Sequence, residues 1–257
     1  MIRNTFTLLP GIGPSREAAL WRSGIESWDE FLREPRIRGI SKDRKERMDS
    51  ELIVAHEMLE ERSSEFFATR IKRRDHWRCF KELGSSVAYL DIETTGLSRY
   101  APVTVVGISD GRRTHTLVKG RNLTSDNLRT ILSSATMLVT FNGSSFDLPI
   151  LEHSFPWSIP HIPHMDLRIT LRRLGYVGGL KKIERELGLE RDRRVEYMTG
   201  QDAVYLWKLW ERDGNSNALD LLIEYNAFDC LNMRPLAELA YRDLRRTVFG
   251  SATGCKD

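Results

Sequence analysis

Apolar residues along the chain follow three successive rhythms. In the first sixty residues they recur at helical spacing. Pro10, Gly11, Gly13 and Pro14 predict a tight turn, with Ser15 capping a helix over 16–22. Gly24 ends that helix, and Ser27 starts another through Trp28, Phe31 and Leu32. Met48, Leu52, Ala55 and Leu59, at three- and four-residue steps, predict one long helix over 41–62. From Ser85 the rhythm shortens. Apolar runs at 87–93, 103–108 and 137–141 read as strands, Asp110-Gly111 as a hairpin turn and 114–118 as the return strand. A helix is expected over 123–133. From Asp166 onward the spacing is helical again, over 166–174, 179–187, 201–212 and 217–245. Together these predict an α/β mixed sheet flanked by helices, with an antiparallel opening, behind a small all-α N-terminal domain.

The changes of rhythm set the expected organisation: a helical domain at 1–62, a basic linker at 63–84, an α/β domain at 85–250 and a tail at 251–257. A chain of 257 residues is long enough for one medium and one small domain. The net charge of +3 is too small to argue for a nucleic-acid partner. Local clustering says more. Arg36, Arg38, Lys42, Arg44, Lys45 and Arg47 form one basic group; Arg70, Lys72, Arg73, Arg74, Arg78 and Lys81 form another, with Trp77 and Phe80 interleaved. Such mixtures suit a nucleic-acid backbone and its bases. A solvated linker that packs Trp77 on the next domain is an equally good reading. No apolar run reaches the ~18 residues of a membrane span, and the N-terminus lacks the apolar core of a signal peptide. Cys79, Cys230 and Cys255 form no metal pattern or disulfide framework, which predicts free thiols and a cytoplasmic setting.

Two acids interrupt the apolar run Val87-Ala88-Tyr89-Leu90-Asp91-Ile92-Glu93. In a strand Asp91 and Glu93 point to the same face. Two carboxylates on one face of a core strand are costly unless a cation lies between them, and hard divalent ions prefer oxygen ligands. Two ordinary acids at an emerging strand end are the plain alternative. Asp147 follows Asn142-Gly143-Ser144-Ser145-Phe146 at the start of a helix, where an acid is a common cap. Tyr225 and Asp229 are four residues apart in a helical stretch and share a face.

Asp-x-Glu-Thr-Thr-Gly-Leu at 91–97, Asn-x-x-x-Phe-Asp at 142–147 and Tyr-x-x-x-Asp at 225–229 occur in that order. The set resembles the three motifs of the DEDD superfamily of 3′→5′ exonucleases, tyrosine subclass, over roughly residues 86–246. Among branches it is most similar to the YprB-like ribonuclease-H-like proteins. The resemblance implies a ribonuclease-H-like fold and removal of nucleoside 5′-monophosphates with two Mg²⁺ or Mn²⁺ ions. It implies that Asp91 bridges both metals. Glu93 and Asp229 complete the metal that activates water, and Asp147 serves the other. A phenol is a poor base at neutral pH, so Tyr225 is expected to orient water. Thr94, Leu97, Asn142 and Phe146 match positions around the terminal nucleotide, although Leu97 and Phe146 also suit a plain core. Lys181 and Lys182 open a helix and are expected to hold substrate phosphates. Residues 5–32 resemble a helix-hairpin-helix, whose turn offers backbone N–H groups to a phosphate.

The expected partner is single-stranded nucleic acid, DNA slightly favoured over RNA, with no membrane. Two other readings stay open: a non-catalytic nucleic-acid-binding module, and a structure-selective endonuclease on the same fold.

Overall fold

The computed structural model describes residues 1–98 and 100–254; the last three residues of the expected tail, Cys255, Lys256 and Asp257, lie outside the described residues. Five strands, β1 (Val87–Thr94), β2 (Val103–Ser109), β3 (Thr114–Val118), β4 (Met137–Thr140) and β5 (His164–Asp166), form one sheet in the order β3-β2-β1-β4-β5. The first three pair antiparallel, and β4 and β5 run parallel to β1. The Asp110-Gly111 turn closes the β2–β3 hairpin, where Asp110 accepts from the backbone N–H groups of Arg112 and Arg113. The sequence predicts the first four strands. It does not predict β5, because three residues are too few to establish a period.

The helices are α1 (Pro14–Arg22), α2 (Trp28–Arg33), α3 (Lys42–Glu60), α4 (Ser64–Arg70), α5 (Ser125–Leu132), α6 (Asp147–Ser154), α7 (Leu167–Arg172), α8 (Leu180–Glu186), α9 (Gly200–Asp213) and α10 (Ser216–Arg245). Helix α1 begins one residue earlier than its expected cap: Gly13 precedes it, and Pro14, with φ preset and no N–H to lose, takes the first position. No described helix is long and apolar enough to cross a membrane.

Alternation along β1 sorts the core. Ala88, Leu90 and Ile92 pack on one face with Leu128 and Leu132 of α5 and Ile150 and Leu151 of α6. Val87 and Tyr89 point to the other, against Met233, Leu236 and Ala237 of α10. Asp91 and Glu93 continue this second row, so the strand period delivers them to α10.

The same core extends through Trp77 and Phe67 to Trp28, Trp21 and Phe6. The N-terminal helices and the α10 side of the sheet are therefore continuous. The segment at 63–84, expected as a basic linker, is itself folded, and it packs Trp77 on the rest of the chain as the second reading of that stretch has it. It holds α4 and a 3-10 turn at Arg73–Cys79, with His76, Trp77, Arg78 and Cys79 buried. Trp77 meets Tyr241 edge-on at 6.2 Å, which removes it from any stacking duty. The Arg78 guanidinium forks onto Glu17, both bonds 2.9 Å, with the two side chains 3% and 1% exposed. Lys45 is buried as well and pairs with Asp49 at 2.6 Å. These two basic groups belong to the interior, while Lys42, Arg47, Lys72 and Arg73 remain exposed.

Candidate active site

Strand β1 and helix α10 bring the acids together. Carboxylate oxygens of Asp91, Glu93 and Asp229 lie within 4.8 Å of one another. Asp91 retains some exposure, and Glu93 and Asp229 are buried. Asp147 is not in that trio but borders it from the start of α6. Strand β4 pairs with β1 only as far as Tyr89, so the edge of β1 beyond that point is open on this side. There the Ile92 N–H donates to Asp147 Oδ1 at 3.2 Å.

Electrostatics follow from the crowding. Loss of hydration, and after it the charge of Asp229, raises Asp91 and Glu93 well above the carboxylate range. Burial pushes Asp147 up to about 7, against the lowering effect of its backbone N–H donors. Without a cation the crowding favours the protonated forms of these groups. Three oxygens so close, hard and poorly hydrated suit a hard divalent cation, and the residues fit one.

Two basic side chains share the site. Lys181, at the start of α8, donates to the Tyr225 phenol oxygen, and its Nζ lies 4.0 Å from the Tyr225 ring centre. Burial, and after it the charge of Asp229, raises the Tyr225 phenol far above its ordinary range, which keeps it protonated. Arg191 Nη2 lies 2.5 Å from Asp229 Oδ1. The same guanidinium is fixed from behind by Glu184, at 2.7 Å through Nε and 2.6 Å through Nη2. Asn226, fully buried, donates from Nδ2 to Asp91 Oδ2 at 2.8 Å. It can approach because Gly107 of β2 faces it: a Cβ there would collide with Asn226 Oδ1 and lie 2.8 Å from Cys230 Sγ.

The remaining expected residues divide. Thr94 is buried and donates to the Gly96 carbonyl at 2.6 Å, closing the turn after β1. Leu97, on that turn, is 90% exposed, so the core alternative does not describe it. Phe146 is half-buried and packs on the α5–α6 side. Asn142 adopts a left-handed conformation, φ 68°, and Asp166 holds it by accepting from the Asn142 and Ser144 N–H groups at 2.9 and 3.0 Å. The Asn142 side chain accepts from Arg168. Lys182 is exposed and lays its stem over Gly178, apart from the acids.

Sequence reasoning missed Asn226, Arg191 and Glu184. Asn226 sits inside the Tyr225–Asp229 motif and was available to it, since a buried amide beside a metal-ligand candidate reads as a supporting donor. Arg191 and Glu184 are joined by a loop whose path no local pattern reveals.

The fold and the acid cluster define a nuclease-like α/β domain. The chain belongs to the RNase H superfamily, whose family model matches residues 88–241. No curated protein and no solved structure matches the chain significantly. Membership points to nuclease-type chemistry on nucleic acid, with divalent metal at the acids.

Proposed function

We propose that the protein is a 3′→5′ exonuclease of the tyrosine subclass that releases nucleoside 5′-monophosphates from single-stranded nucleic acid using two Mg²⁺ or Mn²⁺ ions. The observation that carries this reading is the meeting of Asp91, Glu93 and Asp229 beside Asp147 and Tyr225. Asp91, Glu93 and Asp229 would hold metal, with Asp147 completing the set through the oxygen not bonded to Ile92. Bound metal would supply a nucleophile from water at neutral pH and offset charge on the phosphate. Tyr225 acts as a hydrogen-bond donor and acceptor that orients water, since its proton is held too tightly for it to serve as a base. Leu97 presents an apolar surface to the terminal base, and Lys181 presents its ammonium to the phosphate. The exposed Lys42 and Arg73, with the turn at Gly11, position longer strands.

Incubation of 5′-labelled single-stranded DNA with Mg²⁺ tests the reading. A descending ladder is expected, abolished by EDTA. Asp229→Ala should remove nearly all turnover in a folded protein, and Tyr225→Phe should keep more. A single internal cut would assign an endonuclease instead, and an unchanged strand that still binds would assign a binding module. Matched RNA and duplex substrates then rank preference.

A further inference from the structure

The donors that hold the acids follow one pattern. Asp91 Oδ2 accepts from Asn226 Nδ2 at 2.8 Å. Asp147 Oδ1 accepts from the Ile92 N–H at 3.2 Å. Asp229 Oδ1 lies 2.5 Å from Arg191 Nη2. In each case one carboxylate oxygen is turned onto a protein donor, which leaves the other for an ion. Each donor is fixed in its turn. The Ile92 N–H belongs to the backbone of β1. Asn226 is fully buried and faces Gly107. The Arg191 side chain is 3% exposed and gripped by Glu184 at 2.7 and 2.6 Å.

Divalent ions differ in what they ask of a carboxylate. Ca²⁺ gathers about six to eight oxygens in a loose shell and often takes both oxygens of one carboxylate. Mg²⁺ is smaller, holds a strict octahedron and keeps several of its waters. Chelation needs both oxygens of a carboxylate to face the ion. A carboxylate with one oxygen tied to a fixed donor presents the other alone. Three such ligands beside Glu93 supply too few oxygens for the Ca²⁺ shell, and they suit an ion that completes its shell with water.

We propose that Asn226, Arg191 and the Ile92 N–H are positioning groups that make Asp91, Asp229 and Asp147 one-oxygen ligands, and thereby select Mg²⁺ over Ca²⁺. The proposal rests on the acids holding metal; it adds which ion they accept and which groups decide. Arg191 also brings a positive charge near the ion, which weakens the binding of both ions alike. Selectivity is therefore read from the ratio of the two affinities and not from either one.

The test uses the full chain without nucleic acid. Mn²⁺ is bound first, and its release is followed by electron paramagnetic resonance as Mg²⁺ or Ca²⁺ is titrated in. Mg²⁺ should release Mn²⁺ at a lower concentration than Ca²⁺ does. Asn226→Ala frees Asp91 Oδ2, and Glu184→Gln/Arg191→Gln frees Asp229 Oδ1 while removing two buried charges together. Each should shift the ratio toward Ca²⁺ by about tenfold, the lower end of what a ligand's supporting partner contributes to metal affinity. Release by Ca²⁺ at an equal or lower concentration in the wild type overturns the proposal, whether or not the variants fold. So does a loss of affinity in the variants that is the same for both ions, which is what a merely structural support would give. A chain that binds no Mn²⁺ overturns the proposal together with the metal reading. A chain that selects Mg²⁺ and yet leaves 5′-labelled strands intact supports it and overturns the exonuclease reading alone.

Discussion

Asp147 binds its proton more tightly in the folded chain than in the unfolded one, where its value is the ordinary 3.8. Its contribution to stability is therefore present below that value and is lost as pH rises through about 7. His164, buried and sharing a hydrogen bond with Thr140 Oγ1, has the opposite sign. Burial pulls it from 6.5 down to about 4, so its contribution is present above 6.5 and is lost as pH falls through about 4. Asp147→Asn removes only the first effect. In EDTA the variant should melt several degrees above the wild type at pH 8 and level with it at pH 4, as read by thermal denaturation. Equal shifts at both pH values would show that the substitution acts through packing. Such a gain in stability at the cost of chemistry follows from the metal-ligand role proposed for Asp147.

Element by element, the site was legible where a period spoke. The run at 87–93 fixed both the strand and the shared face of Asp91 and Glu93, and the four-residue step fixed Tyr225 and Asp229 on one side of α10. What the sequence could not show was how closely α10 lies on the sheet. That depends on Gly107, one residue of β2, opposite Asn226 and Cys230. Gly107→Ala should cost about 1–3 kcal/mol in chemical denaturation, the usual range for overpacking. By displacing Asn226 from Asp91 it should also weaken Mn²⁺ binding by about 10–100-fold, the range for loss of a ligand's supporting partner. Unchanged Mn²⁺ affinity would mean that Asp91 does not need Asn226. The burial of Arg78, within the segment at 63–84, was hidden for a related reason. The segment's charges look solvated in a string of letters, and only the fold reveals that Arg78 has a carboxylate waiting in α1.

At the scale of the whole molecule, that Glu17–Arg78 pair fastens the N-terminal helices to the rest. Glu17 also accepts from the backbone N–H groups of Phe6 and Thr7, at 2.7 and 3.1 Å. Glu17→Gln leaves Arg78 buried with half its partner and should cost about 3–5 kcal/mol. Because Trp21, Trp77 and Tyr241 lie in one core, the variant should still unfold in a single transition when followed by tryptophan fluorescence and by far-ultraviolet circular dichroism. Two separated transitions would establish that the N-terminal helices form an independent unit. The shared core also decides how their role is tested. Deleting residues 1–62 strips Phe249 of its edge-on partner Trp21 and Arg78 of Glu17. Charge reversals at the exposed Lys42 and Arg73 leave the core alone.

The burial of Cys230 turns helix α10 into its own clock. The thiol follows Asp229 directly, is fully enclosed, and is pressed against Gly107, so that burial raises it far above a reactive range. A disulfide reagent can reach it only when α10 lifts from the sheet. In a Cys79→Ala/Cys255→Ser background, the rate of Cys230 modification therefore counts openings of the acid cluster. Mn²⁺ bound between β1 and α10 should slow that rate, since an ion holding Asp91 and Asp229 stitches the two elements across the gap. A rate indifferent to Mn²⁺ would mean that the ion does not tie the helix to the strand.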